Sequence, residues 1–378
     1  MKILSFISAL VLSLSVFSFN ADAVDLPAVS AKGAVLIDSV TGEILFEKNA
    51  KSKLPMASTT KIMSAMLALE SGNLDEEFTV DSNAIKVEGS SMGLQEGDRV
   101  TMRALVYGML LPSGNDAANA AAVRLCGSVD AFVQLMNDRA VELGLNSTHF
   151  VTPSGLDDYT DDHYSSAYDM AVLAKEALKN PDFREICGTY NAKLKYGNPP
   201  YERWLTNSNK LLNTCKGVIG VKTGFTDKAK RCLVSACERN GATLICVTLN
   251  APNDWLDHSR LFDYGFNMFE KQKLPAESDK YTVNVVGGTE DNVVCETKTP
   301  QLNMLRGKAD EVTSEVYINH FLYAPVAEDT EVGKIKYYYK NELIHEEPIF
   351  TSQSVGYKKF EKPDSFFSKC RTKLGELF

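Results

Sequence analysis

The stretch PMASTTKIMSAMLALESG, residues 55–72, combines a short polar run with a helical pattern and decides how the rest of the chain is interpreted. Residues 58–70 are predicted to form a helix, because Gly72 stands where a glycine commonly follows a helix end. Residues three apart on a helix share a face, so Lys61 can bring its amine to the Ser58 hydroxyl. The positive helix N-terminus also favours an oxyanion near Ser58. The spacing S-x-x-K therefore indicates a serine activated by a lysine.

Ser58 and Lys61 alone support two interpretations. A serine hydroxyl is a weak nucleophile until a base takes its proton. A lysine can be that base only where desolvation or another cation lowers its pKa. A helix-capping serine followed by a surface lysine would give the same sequence, so further residues are needed to separate the two interpretations.

Two later motifs favour the catalytic interpretation. Ser113-Gly114-Asn115 falls in a predicted break between two helices, where its side chains can point into a cleft. Lys222-Thr223-Gly224 is predicted to end a strand that begins at Val218. Each short motif can occur by chance, but the three together, each in a suitable helix, loop or strand, are hard to dismiss.

The predicted elements indicate helices packed around an antiparallel sheet, an α+β fold. A hairpin pairs residues 34–38 with residues 43–47, and Thr101 is the predicted N-cap of a helix that runs to Leu111. Further helices are predicted at 116–125, 132–143, 166–178 and 255–269, and strands at 218–221, 232–236 and 243–249.

From about residue 278 the pattern consists of short strands. These runs, at 281–286, 312–321 and 334–339, are separated by turns such as Gly287-Gly288 and Lys340-Asn341. We therefore expect a first domain over residues 24–272 and a small all-β, sandwich-like domain over residues 278–352.

The motifs and their flanking residues resemble a known family. The order S-x-x-K, S-x-N, K-T-G is that of the penicillin-recognising serine enzymes. Residues 55–61 (PMASTTK), 109–118 (MLLPSGNDAA) and 217–226 (GVIGVKTGFT) resemble the D-alanyl-D-alanine carboxypeptidase family of low-mass penicillin-binding proteins. Residues 143–150 and 264–266 resemble it as well. The resemblance implies a β-lactamase/transpeptidase-like first domain, and the all-β domain follows where that family carries one.

The resemblance implies a serine-type D-Ala-D-Ala carboxypeptidase that removes the terminal D-alanine from peptidoglycan stem pentapeptides. Ser58 would be acylated, Lys61 would be its base, and Ser113 would relay protons towards the leaving group. The backbone N–H groups of Ser58 and Phe225 would form the oxyanion hole. β-Lactam antibiotics would acylate the same serine as substrate mimics. No metal or other cofactor is implied.

The resemblance also implies which residues bind the substrate. Asn115 would hold the substrate amide together with Lys61. Lys222 would shape the local electric field, and Thr223 would contact the terminal carboxylate of the substrate. The substrate would lie as an extra strand beside the strand that contains Gly224, held by main-chain hydrogen bonds.

Two positions depart from the family pattern. Some members have an arginine shortly before the Tyr-Gly-Phe sequence, where it helps to bind the substrate carboxylate. Here Arg260 lies near that place but not evidently in register. Lys230 stands where a glycine is frequent. How this chain anchors the carboxylate therefore stays open.

Two other motifs suggest different enzymes. Residues 89–93 fit G-x-S-x-G, the nucleophile elbow of α/β-hydrolases, but the elbow needs a strand before it and a helix directly after it. A loop near the cleft is the better interpretation. Glu142 begins an E-x-x-L-N sequence, which supplies a deacylating glutamate in class A β-lactamases. Here it coincides with a predicted helix end, so a surface glutamate is the better interpretation.

Three rival functions remain open at this point. A β-lactamase would deacylate the drug quickly, and a DD-endopeptidase would cut cross-links with the same residues. A peptidoglycan-binding protein would keep the fold but would no longer turn over substrate. The missing glutamate context, the all-β domain and the tail disfavour the β-lactamase, and the complete motifs disfavour the binding protein. The endopeptidase stays open beside the carboxypeptidase, which is the leading interpretation.

The two ends of the chain carry their own signals. A positive start, an apolar run over residues 3–19 and the sequence Ala21-Asp22-Ala23 predict a signal peptide over residues 1–23, with a membrane-spanning helix as the competing interpretation. Residues 358–378 contain six Lys and Arg against three Asp and Glu, with an apolar helical face. This segment is predicted to associate with a membrane surface, or else to dock on the protein itself.

Composition limits the partners and the location. The formal net charge of −9 argues against nucleic acid, since phosphate binding needs clustered Lys and Arg. Eight cysteines are few for this length, which argues against a disulfide scaffold. They form no C-x-x-C pair and the five histidines do not cluster, which argues against a metal site. We expect an exported protein at the extracytoplasmic face of the membrane, acting on peptidoglycan peptides that end in D-Ala–D-Ala.

Overall fold

The computed structural model of the chain describes residues 26–157, 159–276 and 278–359. The predicted signal peptide therefore lies outside the described residues, as does the C-terminal segment beyond Lys359. Within the described ranges, every helix is too short or too polar to cross a membrane.

The first domain combines strands and helices. Its strands are β1 (Gly33–Asp38), β2 (Ile44–Lys48), β3 (Glu77–Thr79), β4 (Arg99–Thr101), β5 (Asn191–Gly197), β6 (Pro200–Thr206), β7 (Val218–Thr226), β8 (Lys230–Arg239) and β9 (Ala242–Leu249). Its helices are α1 (Lys61–Glu70), α2 (Met102–Leu110), α3 (Asn115–Cys126), α4 (Val129–Glu142), α5 (Ala167–Ala177), α6 (Pro181–Gly188), α7 (Leu211–Thr214) and α8 (Asp254–Phe266).

The central sheet is antiparallel, with the strand order β2-β1-β9-β8-β7. Alternate residues of a strand point to opposite faces of the sheet. The inner strands are buried on both faces, because helices cover each face. Val234 and Val247 pack with α1 to α5, whereas Leu233 and Leu244 pack with α8 on the other face. β7 is one edge of this sheet, and its outer side carries no strand of the described chain.

Local sequence signals were confirmed where they depend on neighbouring residues. The Thr101 hydroxyl accepts a hydrogen bond from the Ala104 N–H at 3.1 Å and caps α2. The 34–38 and 43–47 hairpin forms, and Gly72 follows α1 with a φ of +72°. The predicted helix at 58–70 is present, but its first turn, Ala57–Thr60, is a 3-10 helix.

Three expectations differ from the structure. The K-T-G sequence does not end its strand, because β7 continues through Thr226 and pairs along this length with β8. The helix predicted to reach Phe269 ends at Phe266. The sequence patterns also do not predict the hairpin of β5 and β6 that the structure contains.

Over residues 269–276 and 278–359 the second domain is all-β apart from one short 3-10 turn at Ala309–Glu311, which agrees with the predicted fold class. Its strands are β10 (Phe269–Lys273), β11 (Lys280–Val286), β12 (Asn292–Glu296), β13 (Gln301–Leu305), β14 (Thr313–Ile318), β15 (Phe321–Tyr323), β16 (Glu331–Tyr339) and β17 (Glu342–Thr351). Six of them form a sheet in the order β14-β16-β17-β12-β11-β15, and β10 pairs with β13. β10 lies almost entirely within the residues expected in the first domain, yet its strand partner belongs to the second.

The two domains meet through polar contacts near the β1–β2 turn. The Tyr339 hydroxyl and the Lys340 ammonium each donate to the Glu43 carboxylate at 2.8 Å. Lys175 of α5 lies 3.3 Å from the Glu342 carboxylate. These contacts lie away from the edge strand β7.

Candidate active site

Ser58 and Lys61 meet as the S-x-x-K spacing predicts. Ser58 lies in the 3-10 turn before α1 and is partly buried, whereas Lys61 is fully buried. The Lys61 ammonium donates to the Ser58 hydroxyl oxygen at 3.0 Å. The spacing therefore brings a buried amine to a serine hydroxyl, and the surface-lysine interpretation is wrong.

Lys61 is held by two further acceptors. Its Nζ donates to the Asn115 side-chain oxygen and to the Ser154 carbonyl, both at 2.7 Å. Burial is the main cause that lowers the pKa of Lys61 well below its ordinary value of 10.5. The nearby charge of Lys222 lowers this pKa further, and Asp116 opposes the shift.

Ser113 and Asn115 lie at the break between α2 and α3. Ser113 is nearly buried and has a φ of +67°, a left-handed conformation that is uncommon for a residue with a side chain. Such conformations persist where the surrounding structure enforces them, and they cluster at functional sites. Asn115 is the first residue of α3, so its side chain points to Lys61 from the helix start.

The loop that contains the G-x-S-x-G sequence supports Asn115. The Asn115 amide nitrogen donates to the Glu88 carbonyl at 2.6 Å, and its backbone N–H donates to the Ser90 carbonyl at 2.7 Å. Asp116 accepts hydrogen bonds from the Met92 N–H and the Ser91 hydroxyl of the same loop. Residues 89–93 therefore form a loop that packs behind the site, not a nucleophile elbow.

The K-T-G residues line the edge strand β7. Lys222 is buried, its Nζ donates to the Thr223 carbonyl at 2.8 Å, and burial lowers its pKa to about 7. The Thr223 hydroxyl lies 2.8 Å from the Ser208 hydroxyl. Phe225, the residue after Gly224, is 60% exposed at the open edge.

Gly224 brings the strand against the turn that carries Ser58. A methyl group on Gly224 would lie 3.0 Å from the Met56 carbonyl oxygen and 3.1 Å from the Ser58 nitrogen. A side chain there would push the strand away from Ser58. Glycine at this position therefore allows the backbone of β7 to approach the serine.

The loop around Ser154 could not be found from the sequence. It supplies the carbonyl that accepts from Lys61, and a methyl group on Gly155 would overlap the Ala57 carbonyl oxygen. Buried His163 braces this loop, because its ring accepts from the Val151 N–H at 2.9 Å and bonds the Thr60 hydroxyl at 2.8 Å. The Ser-Gly pair was the available signal, since it marks a turn. It says nothing of which carbonyl the turn presents.

The remaining candidate residues lie away from Ser58 and Lys61. Glu142 is at the exposed end of α4 and pairs with Arg139 at 3.0 Å, as expected for a surface glutamate. Lys230 has a φ of +58°, which explains why glycine suits this position. Arg260 is exposed on α8.

Comparison with protein families accounts for both domains. Residues 20–253 match the family model described as D-alanyl-D-alanine carboxypeptidase. Residues 269–357 match the model described as the C-terminal domain of penicillin-binding protein 5. The second match begins at the first residue of β10.

Individual relatives agree with the family models. The chain is 33% identical over 340 residues to the D-alanyl-D-alanine carboxypeptidase DacF of Bacillus subtilis, covering 87% of this chain and 86% of that protein. It is 34% identical over 252 residues to DacB2 of Mycobacterium tuberculosis, covering 65% of this chain and 86% of that protein.

Solved structures agree as well. Penicillin-binding protein 5 of Haemophilus influenzae superposes with a TM-score of 0.62 at 28% identity, covering 88% of this chain and 99% of that one. The DD-transpeptidase of Streptomyces K15 gives 0.61 at 34% identity, covering 64% of this chain and 98% of that one. With the motifs assembled at one site and both domains matched, the chain belongs to the D-alanyl-D-alanine carboxypeptidase family of penicillin-binding serine peptidases.

Proposed function

We propose that this protein is a serine D-alanyl-D-alanine carboxypeptidase in which Ser58 is the nucleophile. The observation that carries the proposal is the hydrogen-bonded chain from Ser58 through Lys61 to Asn115, beside the open edge of β7. Peptidoglycan stem peptides ending in D-Ala–D-Ala are its substrates, and β-lactams acylate Ser58 in their place.

Lys61 acts as the base in its neutral form. A neutral lysine amine has two N–H donors and one lone pair. The Asn115 side-chain oxygen and the Ser154 carbonyl take up the two donors, which turns the lone pair towards the Ser58 hydroxyl. Burial lowers the pKa of Lys61, so this neutral form is reached at a lower pH than for an exposed lysine.

Acylation begins when the Ser58 oxygen attacks the carbonyl carbon of the penultimate D-alanine and its proton moves to Lys61. The oxyanion is stabilised by the backbone N–H groups of Ser58 and Phe225. One such donor is worth roughly 10²–10³ in rate. The close approach of Gly224 to the Ser58 nitrogen supports this pairing of donors, since it brings β7 beside the turn.

The acyl-enzyme forms when the C–N bond breaks. The departing D-alanine amine receives the proton from Lys61 by way of the Ser113 hydroxyl. A water molecule then attacks the ester and gives its proton to Lys61, which restores the Ser58 hydroxyl. Both half-reactions use the same base, so loss of Lys61 blocks both.

The substrate binds as an added strand along β7. An edge strand leaves alternate backbone N–H and C=O groups unpaired, and an extended peptide can pair with them. The Thr223 hydroxyl, with Ser208 beside it, contacts the terminal carboxylate. A β-lactamase is less well supported, since Glu142 is exposed and paired with Arg139.

We further propose how the chain is processed and located. Residues 1–23 are a cleaved signal peptide. The peptidase lies within the expected bounds 24–272 and the all-β domain within 278–352, except that β10 pairs with β13 and so belongs with the all-β domain. The basic amphipathic segment 358–378 binds the extracytoplasmic surface of the cell membrane, where peptidoglycan precursors are within reach.

The test uses the mature chain, its Ser58→Ala variant and a Ser52→Ala variant, in which an exposed serine hydroxyl outside the site is removed as a control. Each is incubated with a peptide ending in D-Ala–D-Ala, and separately with a fluorescent penicillin, before intact-mass analysis. We expect D-alanine release and a slowly hydrolysed adduct in the wild type and Ser52→Ala but not in Ser58→Ala. Reaction of Ser58→Ala at the wild-type rate would overturn the proposal.

A further inference from the structure

The substrate of the proposed reaction ends in a carboxylate that contacts Thr223, and a cation close to Thr223 would strengthen its binding. Lys222 is unsuited to this role, because it is 1% exposed and its ammonium is turned to the Thr223 carbonyl. Another residue would have to supply that charge.

Arg231 lies on the correct face of the sheet. In the β7–β8 ladder it stands directly opposite Phe225, and Leu233 stands opposite Thr223. Residues two apart on a strand share a face, so Arg231 and Thr223 are diagonal neighbours on the α8 side of the sheet. Such neighbours are about 7–8 Å apart, within reach of a long side chain.

The Arg231 guanidinium is fixed by the start of α8. Its Nε and Nη2 atoms lie 2.9 Å and 2.8 Å from one Asp254 carboxylate oxygen. The Asp254 side chain is 3% exposed, and the guanidinium lies over the Trp255 ring at 5.1 Å. The Arg231 side chain is nevertheless 40% exposed, so part of the guanidinium is open to a ligand.

We propose that Arg231 binds the terminal carboxylate of the substrate and that Asp254 is its positioning residue. A guanidinium has five N–H donors in a planar fork, so one edge can hold Asp254 while another binds a second carboxylate. Arginine also stays protonated at all physiological pH values. This inference rests on the proposed function and adds the subsite for the free acid.

Other nearby cations fit this role less well. Arg260 projects from α8 and is exposed. Lys228 is paired with Asp161. Lys230 stands opposite Thr226 and therefore on the other face of the sheet from Thr223.

The experiment compares the full mature chain with Arg231→Leu, Arg231→Lys and the control Arg260→Leu. Each is assayed with a peptide ending in D-Ala–D-Ala and with the same peptide carrying a C-terminal carboxamide. We expect Arg231→Leu to lower kcat/KM for the acid about 10- to 100-fold, mainly through KM, and to leave the carboxamide almost unchanged. The kcat/KM of Arg231→Lys for the acid should fall between those of the wild type and Arg231→Leu, because lysine keeps the charge but lacks the planar fork of donors.

The ratio of kcat/KM for the acid to kcat/KM for the carboxamide decides the outcome. Arg260→Leu should keep the wild-type preference for the acid. If Arg231→Leu keeps the wild-type ratio, or if Arg260→Leu abolishes it, the assignment of Arg231 is overturned. Thermal unfolding of each variant shows whether it is folded. If Arg231→Leu is not folded, the substrate ratio of Arg231→Lys is compared with that of the wild type instead.

The positioning role of Asp254 is tested by measuring KM and kcat separately for its variants. Asp254→Asn should raise KM for the acid with little change in kcat, and Asp254→Glu should recover part of the loss. A purely structural role would lower the melting temperature without changing the acid-to-carboxamide ratio, and that result would overturn the positioning role.

A neutral activated ester separates this inference from the proposed function. Acylation of Ser58 by such an ester needs the nucleophile and base but no carboxylate anchor. If the wild type shows no Ser58-dependent acylation, the proposed function fails. If Arg231→Leu is acylated normally and still prefers the acid as strongly as the wild type, only the Arg231 inference fails.

Discussion

The two domains differ in whether they bury ionisable side chains. The first buries ionisable side chains completely, namely Lys61, Lys222, His163 and His258, each at most 1% exposed. In the described part of the second domain, no Lys, Arg, Asp, Glu or His is buried to this degree, and ion pairs such as Lys334–Glu346 stay near 40% exposed. Burying a charge is costly unless it is paired. The comparison shows that buried ionisable side chains are concentrated in the domain that contains Ser58, and that the described part of the second domain keeps its charged side chains at the surface.

The largest expected effect comes from removing the buried amine at the site. Lys61→Met should lower the acylation rate by about 10²–10⁴-fold, the usual contribution of a general base. Its free energy of unfolding should fall by about 1–3 kcal/mol, since the buried Asn115 oxygen and Ser154 carbonyl lose their donor. Stopped-flow acylation and urea unfolding measure the two quantities.

The matched change in the second domain is Lys334→Met, which removes an exposed ion pair. It should change neither the rate nor, by more than about 1 kcal/mol, the stability. Equal losses of stability in both variants would remove the contrast between the domains.

The next effect concerns the buried histidines and pH. Burial lowers the pKa of both His163 and His258 to about 3, against 6.5 for the free side chain. Between these values the unfolded chain binds protons that the folded chain does not, so stability is complete above pH 6.5 and is lost as the pH falls towards 3. Each histidine adds a slope of up to about 1.4 kcal/mol per pH unit in this window.

Urea unfolding between pH 7 and pH 4 measures that slope. His258→Gln should reduce it, because one of the two groups no longer titrates. His320→Gln, at an exposed site of the second domain, should leave it unchanged. A slope that is the same in the wild type and His258→Gln would show that burial of this histidine does not control acid stability.

The smallest effect compares two glycines with positive φ. Gly155 has a φ of +89° and no room for a methyl group next to Ala57, whereas Gly307 has a φ of +72° and open space around it. Both alanine variants carry the backbone strain, but only Gly155→Ala must also displace the turn that holds Ser58. We expect Gly155→Ala to cost about 1–3 kcal/mol more than Gly307→Ala and to slow acylation. Thermal unfolding and penicillin labelling check this, and identical behaviour of the two variants would contradict it.

The sequence predicted those parts of the site that depend on short spacing. Ser58 and Lys61 meet because three residues make one helical turn, and Thr101 caps its helix locally. The Ser154 carbonyl could not be predicted, because every residue has a carbonyl and the fold alone selects one. The Arg231–Asp254 pair joins β8 to α8, and no local sequence pattern predicts it, because the two residues are far apart in the sequence. The strand β10 is likewise hidden from a local pattern, since its partner β13 follows it only after two further strands.

The pairing of β1 with β9 in the interior of the sheet has a consequence for when the active site can assemble. Val35 on β1 pairs with Val247 on β9, so roughly 200 residues must be synthesised between the two strands before the sheet can close. At about 5–20 residues per second this takes on the order of 10–40 seconds. Ser58 emerges early, but the K-T-G strand and the loop at Ser154 that surround it come later. A nascent chain that stops before β9 already contains Ser58, the Ser154 loop and the K-T-G strand, but it lacks the strand that joins β1 to β8. The sheet that holds the K-T-G strand beside Ser58 is therefore incomplete until β9 has been made.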